Sequence, residues 1–272
     1  MIDTHAHICN ADYGGPYEGG TAGLVARAIA AGVTHINCVG AGGDLAEVLS
    51  AITAARTWTG VSAICGIHPH DAGRLANPET GAGLWAGVRD ACAQPECVAV
   101  GETGLDFHYN KSDRDAQFKA FADHVGLARA LGKPLCIHTR SAEDETLQVL
   151  RDTQAAQCGG VIHCFSGTAA FGLRCVEEFG FYLSIPGIVT FKNAGEIPQA
   201  VVRCPLDRLL LETDSPFLAP VPMRGRRCEP GLMGYTLTKV AELRGETVEA
   251  MRAVTTGNAI RLFGPRLLVA LA

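Results

Sequence analysis

The residues of this chain best suited to chemistry are histidines and carboxylates that close short apolar runs. The first are His5 and His7 in Ile2-Asp3-Thr4-His5-Ala6-His7. Side chains two residues apart in an extended strand project from the same face, so this pair offers two imidazoles to one divalent cation. Partners follow along the chain. His68 and His70 lie in Gly66-Ile67-His68-Pro69-His70, Glu102 in Gly101-Glu102-Thr103-Gly104-Leu105-Asp106, and His138 in Ile137-His138-Thr139-Arg140. His163 opens His163-Cys164-Phe165-Ser166-Gly167, and Asp214 sits in Glu212-Thr213-Asp214-Ser215-Pro216. Four imidazoles (His5, His7, His138, His163) and two carboxylates (Glu102, Asp214), with no thiolate, suit two divalent ions of the Mg²⁺, Mn²⁺ or Zn²⁺ type rather than a structural zinc. Two such ions about 3.5–4 Å apart acidify a shared water and polarise a phosphoryl or carbonyl oxygen, which is catalytic chemistry.

Residues so far apart in sequence meet only if a fold gathers them. Strand-like runs at Met1–His7, Val33–Gly40, Val61–Ile67, Cys97–Glu102, Pro134–Thr139, Gly160–Cys164, Gly180–Ile185 and Arg208–Thr213 alternate with stretches of helical spacing. The latter include Thr21–Ala31, Asp44–Trp58, Asp113–Leu131, Ala142–Gln154 and Ala169–Phe179. Gly32 and Gly132 follow two of these runs, where a helix end favours a residue with positive φ. Such alternation builds a parallel sheet covered by helices. Eight strands in 272 residues fit a (β/α)₈ TIM barrel, whose strand C-termini surround one opening. A doubly wound open sheet is the alternative, but no Gly-rich phosphate fingerprint follows the first strand, and the polar motifs are spread over at least six strands. Residues 1–272 read as a single domain, with Leu218–Gly234 a long loop after the eighth strand.

With 47% hydrophobic residues the chain can bury one large core. A net charge of −5 disfavours coating nucleic acid through the overall field, so an anionic substrate must be held locally. No apolar run approaches the roughly 18 residues of a membrane span and no leader pattern opens the chain, so a cytoplasmic protein without membrane contact is expected. No obligatory protein partner is evident. The eleven cysteines include no Cys-x-x-Cys pair and mostly sit in apolar runs, where they read as small core residues. Cys136, two residues before His138, is read the same way. His35, His108 and His124 stand outside the motifs and read as surface or internally satisfied histidines.

The quoted motifs, in this order and with Arg224-Gly225-Arg226, resemble the TatD family of metal-dependent deoxyribonucleases, a branch of the amidohydrolase-like barrels, across nearly the whole chain. The resemblance implies that Glu102 bridges two metals, with His5, His7 and Asp214 on one side and His138 and His163 on the other. It also implies a nuclease acting on DNA ends, commonly 3′ to 5′, with RNA as a further candidate substrate. The wider superfamily often uses a modified lysine after strand four, but Cys97–Asp106 contains none, and Glu102 fits that place.

Roles can be assigned on that basis. Asp214 takes the proton of the attacking water, with Glu102 as its catalytic partner. His68 and His70 contact substrate, while Arg140, Arg224 and Arg226 hold phosphates, for which a guanidinium fork is suited. Phe165 or Tyr235 stacks a terminal base. Simpler readings stand beside these: His70 as a helix cap or as a support for a ligand, Asp106 as an orienting group, Arg140 paired with Glu143 or Asp144, and Arg224–Arg227 as a solvated loop. Cys228 stands where the family pattern carries Asn, and its arginine neighbours suggest a reactive thiol. Two other functions compete: hydrolysis of an ester or amide, such as an aminoacyl-tRNA linkage, in the same barrel, and a non-catalytic binding module. The arginines favour phosphate, and the complete ligand set speaks against a decayed site.

Overall fold

The computed structural model describes residues 1–9 and 19–272. Eight parallel strands neighbour one another in chain order: β1 (Ile2–Ala6), β2 (His35–Gly40), β3 (Val61–Cys65), β4 (Cys97–Asp106), β5 (Leu135–Arg140), β6 (Gly160–Ile162), β7 (Tyr182–Ile185) and β8 (Leu209–Leu211). The ends of the sheet meet through His7 N–H to Ser215 O (2.8 Å) and Asp214 N–H to His5 O (3.0 Å), which turns the sheet into a (β/α)₈ barrel. Around it run α1 (Gly20–Ala30), α2 (Leu45–Thr57), α3 (Ala72–Leu75), α4 (Gly81–Ala93), α5 (Arg114–Leu131), α6 (Glu143–Asp152), α7 (Ala169–Phe179), α8 (Ile197–Arg203), α9 (Met233–Arg244) and α10 (Val248–Phe263).

Helix boundaries follow local chemistry. The Asp44, Thr168 and Thr247 side chains accept the free N–H groups that open α2, α7 and α10. Gly132 closes α5 in the left-handed conformation expected of it. The pattern does not mark α4, because Gly81, Gly83 and Gly87 lower its helical propensity. Gly87 has a packing reason: a Cβ there would press on the Leu45 side chain of α2. The expected loop after β8 also ends early, in a tight turn at Pro230–Leu232 and the start of α9 at Met233.

A large apolar cluster fills the space between strands and helices. A smaller one joins Ile64, Cys136, Val161 and Leu210, from β3, β5, β6 and β8, to Phe263 and Leu267 near the chain end. By strand alternation Cys136 shares a face with His138, while Val161 and Leu210 lie on the strands that lead into His163 and Glu212. The inward face is therefore apolar beneath and polar at the C-terminal mouth. Among the described residues no helix is long and apolar enough to cross a membrane.

Candidate metal centre

Two irregularities in the ladder aim the first donors. Between Asp3 and Ala6 the pairing of β1 with β2 slips by one residue, next to His5. On β4, Gly101 and Thr103 pair with the adjacent Cys136 and Ile137 of β5, so Glu102 is the extra residue of a bulge. Bulges re-aim side chains in this way. The strand continues to Asp106, so Glu102 lies within β4 rather than at its end, as the sequence had suggested. Close approach of β4 to β5 needs Gly104, at φ +139°, because a Cβ there would collide with the His138 carbonyl. Conversely, β6 and β8 stop short of His163 and Asp214, where the chain turns through left-handed Cys164 and Asp214 (φ +43° and +53°).

Glu102 is buried at the centre, and its two oxygens face different histidines. Oε2 lies 3.4 Å from His5 Nε2 and 3.8 Å from His7 Nε2. Oε1 lies 2.8 Å from His163 Nε2, 3.1 Å from His138 Nδ1 and 3.2 Å from His68 Nε2. Asp214 Oδ1 stands with the first group, 3.6 Å from His7 Nε2 and 3.8 Å from His5 Nε2. Burial pushes the Glu102 carboxyl up, but the imidazoles of His163, His68 and His138 outweigh it and hold the group well below its ordinary value. Burial lowers His163, yet Glu102 and Glu212 together keep it well above its ordinary value.

The donors fit a divalent cation. His5 Nε2 and His7 Nε2 face each other at 3.3 Å, a pair that can share only one proton, with a carboxylate oxygen beside them. Nitrogen and oxygen donors within 4.8 Å of one another recur as His5–His7–Glu102 and His68–Glu102–His138. Such sets suit Zn²⁺, Mn²⁺ or Mg²⁺.

Groups behind the donors fix the rings. Asp106 Oδ2 accepts from His138 Nε2 (3.1 Å) and His70 Nε2 (2.8 Å), while Oδ1 accepts the His108 and Tyr109 N–H groups. Glu212 Oε1 accepts the Cys164 N–H at 2.5 Å and lies 3.4 Å from His163 Nδ1. His5 Nδ1 sits 3.3 Å from Cys136 Sγ. Partners of this kind set ring orientation and tautomer.

The family model for TatD related DNase matches residues 2–264. The chain belongs to the TatD family. It is 37% identical over 263 residues to YabD of Bacillus subtilis (strain 168), an uncharacterized metal-dependent hydrolase, covering 97% of this chain and 98% of that one. It is 39% identical to the 3′-5′ ssDNA/RNA exonuclease TatD of Cronobacter turicensis, with 88% and 90% covered. Its fold resembles the crystal structure of YJJV, a TatD homologue from Escherichia coli K12, with a TM-score of 0.85, 25% identity and 97% of each chain covered. The chain is thus a metal-dependent hydrolase of the TatD family.

Above the donors of this TatD-family hydrolase opens a cavity of about 750 Å³. His68, His70 and Arg140 line it, but Arg224 and Arg226 do not appear among the described lining residues. Arg224 lies against the Phe191 ring instead, 4.3 Å from its centroid. Phe165, expected to stack a base, is 1% exposed inside the core, and Tyr235 lies on α9, outside the cavity lining. The exposed Phe217 and Tyr109 line the cavity instead. Cys228 is fully buried, and burial, reinforced by Asp3 and Asp214, pushes its thiol well up, which removes the expected reactivity. Cys136 packs in the core as expected, and its sulfur also meets His5 Nδ1. Glu212, two residues before Asp214, carries no expected role in the sequence, yet its carboxylate backs His163. Lys111, Tyr109 and Phe217 lie on loops, where no periodicity marks them.

Proposed function

We propose that this chain is a two-metal nuclease that hydrolyses phosphodiester bonds from the 3′ end of single-stranded DNA, and of RNA as well. The division of Glu102 carries the reading: one oxygen turned to His5 and His7, the other to His138, His163 and His68, is the pattern of a carboxylate shared by two cations. The named activity of the Cronobacter relative supports nucleic acid as substrate.

Divalent ions in such a site polarise the phosphoryl oxygen and acidify water. The chain's own residues do the rest. His5, His7, Glu102 and Asp214 would hold one such ion, and Glu102, His138 and His163 the other. Burial pushes Asp214 up, but His7, His163 and His5 hold it below its ordinary value, so at neutral pH it is ionised and its carboxylate takes the proton of the attacking water. His68 faces the cavity and donates to a phosphate oxygen. Phe217, half exposed on the cavity wall, gives the terminal base an apolar face.

The test is digestion of single-stranded DNA and RNA labelled at either end, with Mg²⁺, Mn²⁺ or Zn²⁺, beside EDTA and Asp214→Asn controls. A ladder receding from the 3′ end and lost in both controls is the expected result. Protein that carries two metals yet cleaves neither polymer overturns the reading in favour of ester or amide hydrolysis.

A further inference from the structure

The rim of the cavity is divided by charge. The segments after β2 and β3 bring Glu47, in the first turn of α2, and Asp71; the loop after β4 and the end of β5 bring Lys111 and Arg140; the segments after β7 and β8 bring Ile188 and Phe217. In an eight-stranded barrel, strands four apart face each other across the axis, so Lys111 after β4 stands opposite Phe217 after β8, while Arg140 on β5 faces β1 and Ile188 after β7 faces β3. Among the described residues that line the cavity, Lys111 and Arg140 are its only lysine or arginine.

Both are gathered on one ring. Arg140 Cζ lies 4.7 Å and Lys111 Nζ 5.7 Å from the Tyr109 centroid. The ring is set edge to face against His70 at 5.4 Å and His108 at 4.8 Å, and the Tyr109 N–H donates to Asp106 Oδ1 at 2.9 Å. Tyr109 is thus tied to the same carboxylate that orients His138. Nearby acids that would compete for Arg140 are engaged elsewhere: Glu143 accepts from Thr168 N and Oγ1, and Asp144 pairs with Arg174 at 4.0 Å. Two cations gathered on one aromatic ring, lining a cavity and left without those carboxylates, are arranged for an external anion. A second cavity of about 660 Å³ shares Thr139, Arg140 and Ser166 with the first, so a chain leaving the metal groove past Arg140 has a path onward.

The geometry points to an anion subsite, formed by Lys111 and Arg140 on Tyr109, that takes the phosphate adjoining the scissile one in a nucleic-acid strand. This rests on the nuclease reading and deepens it: strand beyond the cleaved bond runs over β4 and β5, opposite the terminal base at Phe217.

Binding of a fluorescent single-stranded DNA decanucleotide to the full chain in EDTA, followed by anisotropy across a series of KCl concentrations, tests it without turnover. Each single-strand phosphate contact adds about 0.7 to the slope of log K against log salt. Lys111→Ala and Arg140→Ala should each lower the slope by about that amount, the double variant by about twice as much. Tyr109→Leu should weaken binding with both cations still present, and Lys119→Ala, on the exposed face of α5, should leave the slope unchanged. Wild-type slopes in both cation variants, from a chain that binds DNA, overturn the subsite alone. A wild-type chain that binds no DNA in EDTA overturns the subsite, whereas the nuclease reading falls only if the end-labelled digestion above shows no cleavage.

Discussion

Two regions of this barrel use histidine in opposite ways. His35, at the start of β2, has Nδ1 2.9 Å from Val269 O and Nε2 2.8 Å from Ser62 Oγ. His124, on α5, donates from Nδ1 to Ala120 O at 2.6 Å, and its Nε2 accepts the Ile67 N–H at 3.1 Å. Each ring nitrogen has a protein partner, each ring is buried, and burial pushes both groups down to about 4. At the C-terminal mouth the imidazoles turn toward each other and toward a shared carboxylate. The difference teaches that burial alone does not mark a working histidine. What marks it is a nitrogen whose neighbours are other donors rather than a partner of its own.

The largest effect should come from the mouth. Asp214→Asn keeps shape but removes a base and a charge, so kcat should fall about 10²–10⁴-fold while the melting temperature holds or rises. A variant with near wild-type kcat would break the assignment of Asp214.

The satisfied histidines should appear in acid stability instead. Their folded pKa of about 4 lies below the unfolded value of about 6.5, so between those limits the unfolded chain binds protons that the folded chain refuses. Their stabilising effect is complete above about pH 6.5 and is lost as pH falls toward 4, by about 3 kcal/mol for each ring. His124→Gln retains an acceptor for the Ile67 N–H and cannot titrate. Its urea unfolding free energy should therefore fall less steeply than that of wild type between pH 6.5 and 4.5, and parallel curves would count against a neutral, buried His124.

The smallest of the three sharpens the contrast. Asp106→Asn should weaken Mn²⁺ or Zn²⁺ binding about 10–100-fold by calorimetry, because His138 loses the carboxylate that orients it. Ser62→Ala removes a partner from His35 and should leave metal affinity unchanged. Equal losses in both variants would erase the distinction between the two regions.

How far the sequence foretold this molecule follows from where its signals lie. The barrel was legible because six of the eight apolar runs of strand length are cut off by a polar motif and most are followed by a helical pattern. Donor residue types were legible for the same reason, since His5, His138 and His163 all end such runs. The bulge that swings Glu102 inward left no trace, because a one-residue slip in pairing is invisible without the neighbouring strand. Nor could spacing reveal that Arg224 folds back onto Phe191 while Lys111 and Arg140 meet on Tyr109, contacts decided by loop paths. The reactivity expected of Cys228 from its sequence neighbours fails because those arginines are exposed, whereas the thiol itself faces the interior.

The join between β1 and β8 carries a consequence of its own. Elsewhere neighbouring strands share a ladder, but here two backbone hydrogen bonds are supplemented by the Asp3 carboxylate, which accepts from Thr213 N (3.0 Å) and Thr213 Oγ1 (2.6 Å). His5 and His7 stand on one bank of this join and Asp214 on the other. The barrel therefore fastens like a bracelet whose clasp and setting are the same piece: any breathing that parts the clasp also spreads the donors, so closure of the ring and grip on a cation are one coupled quantity.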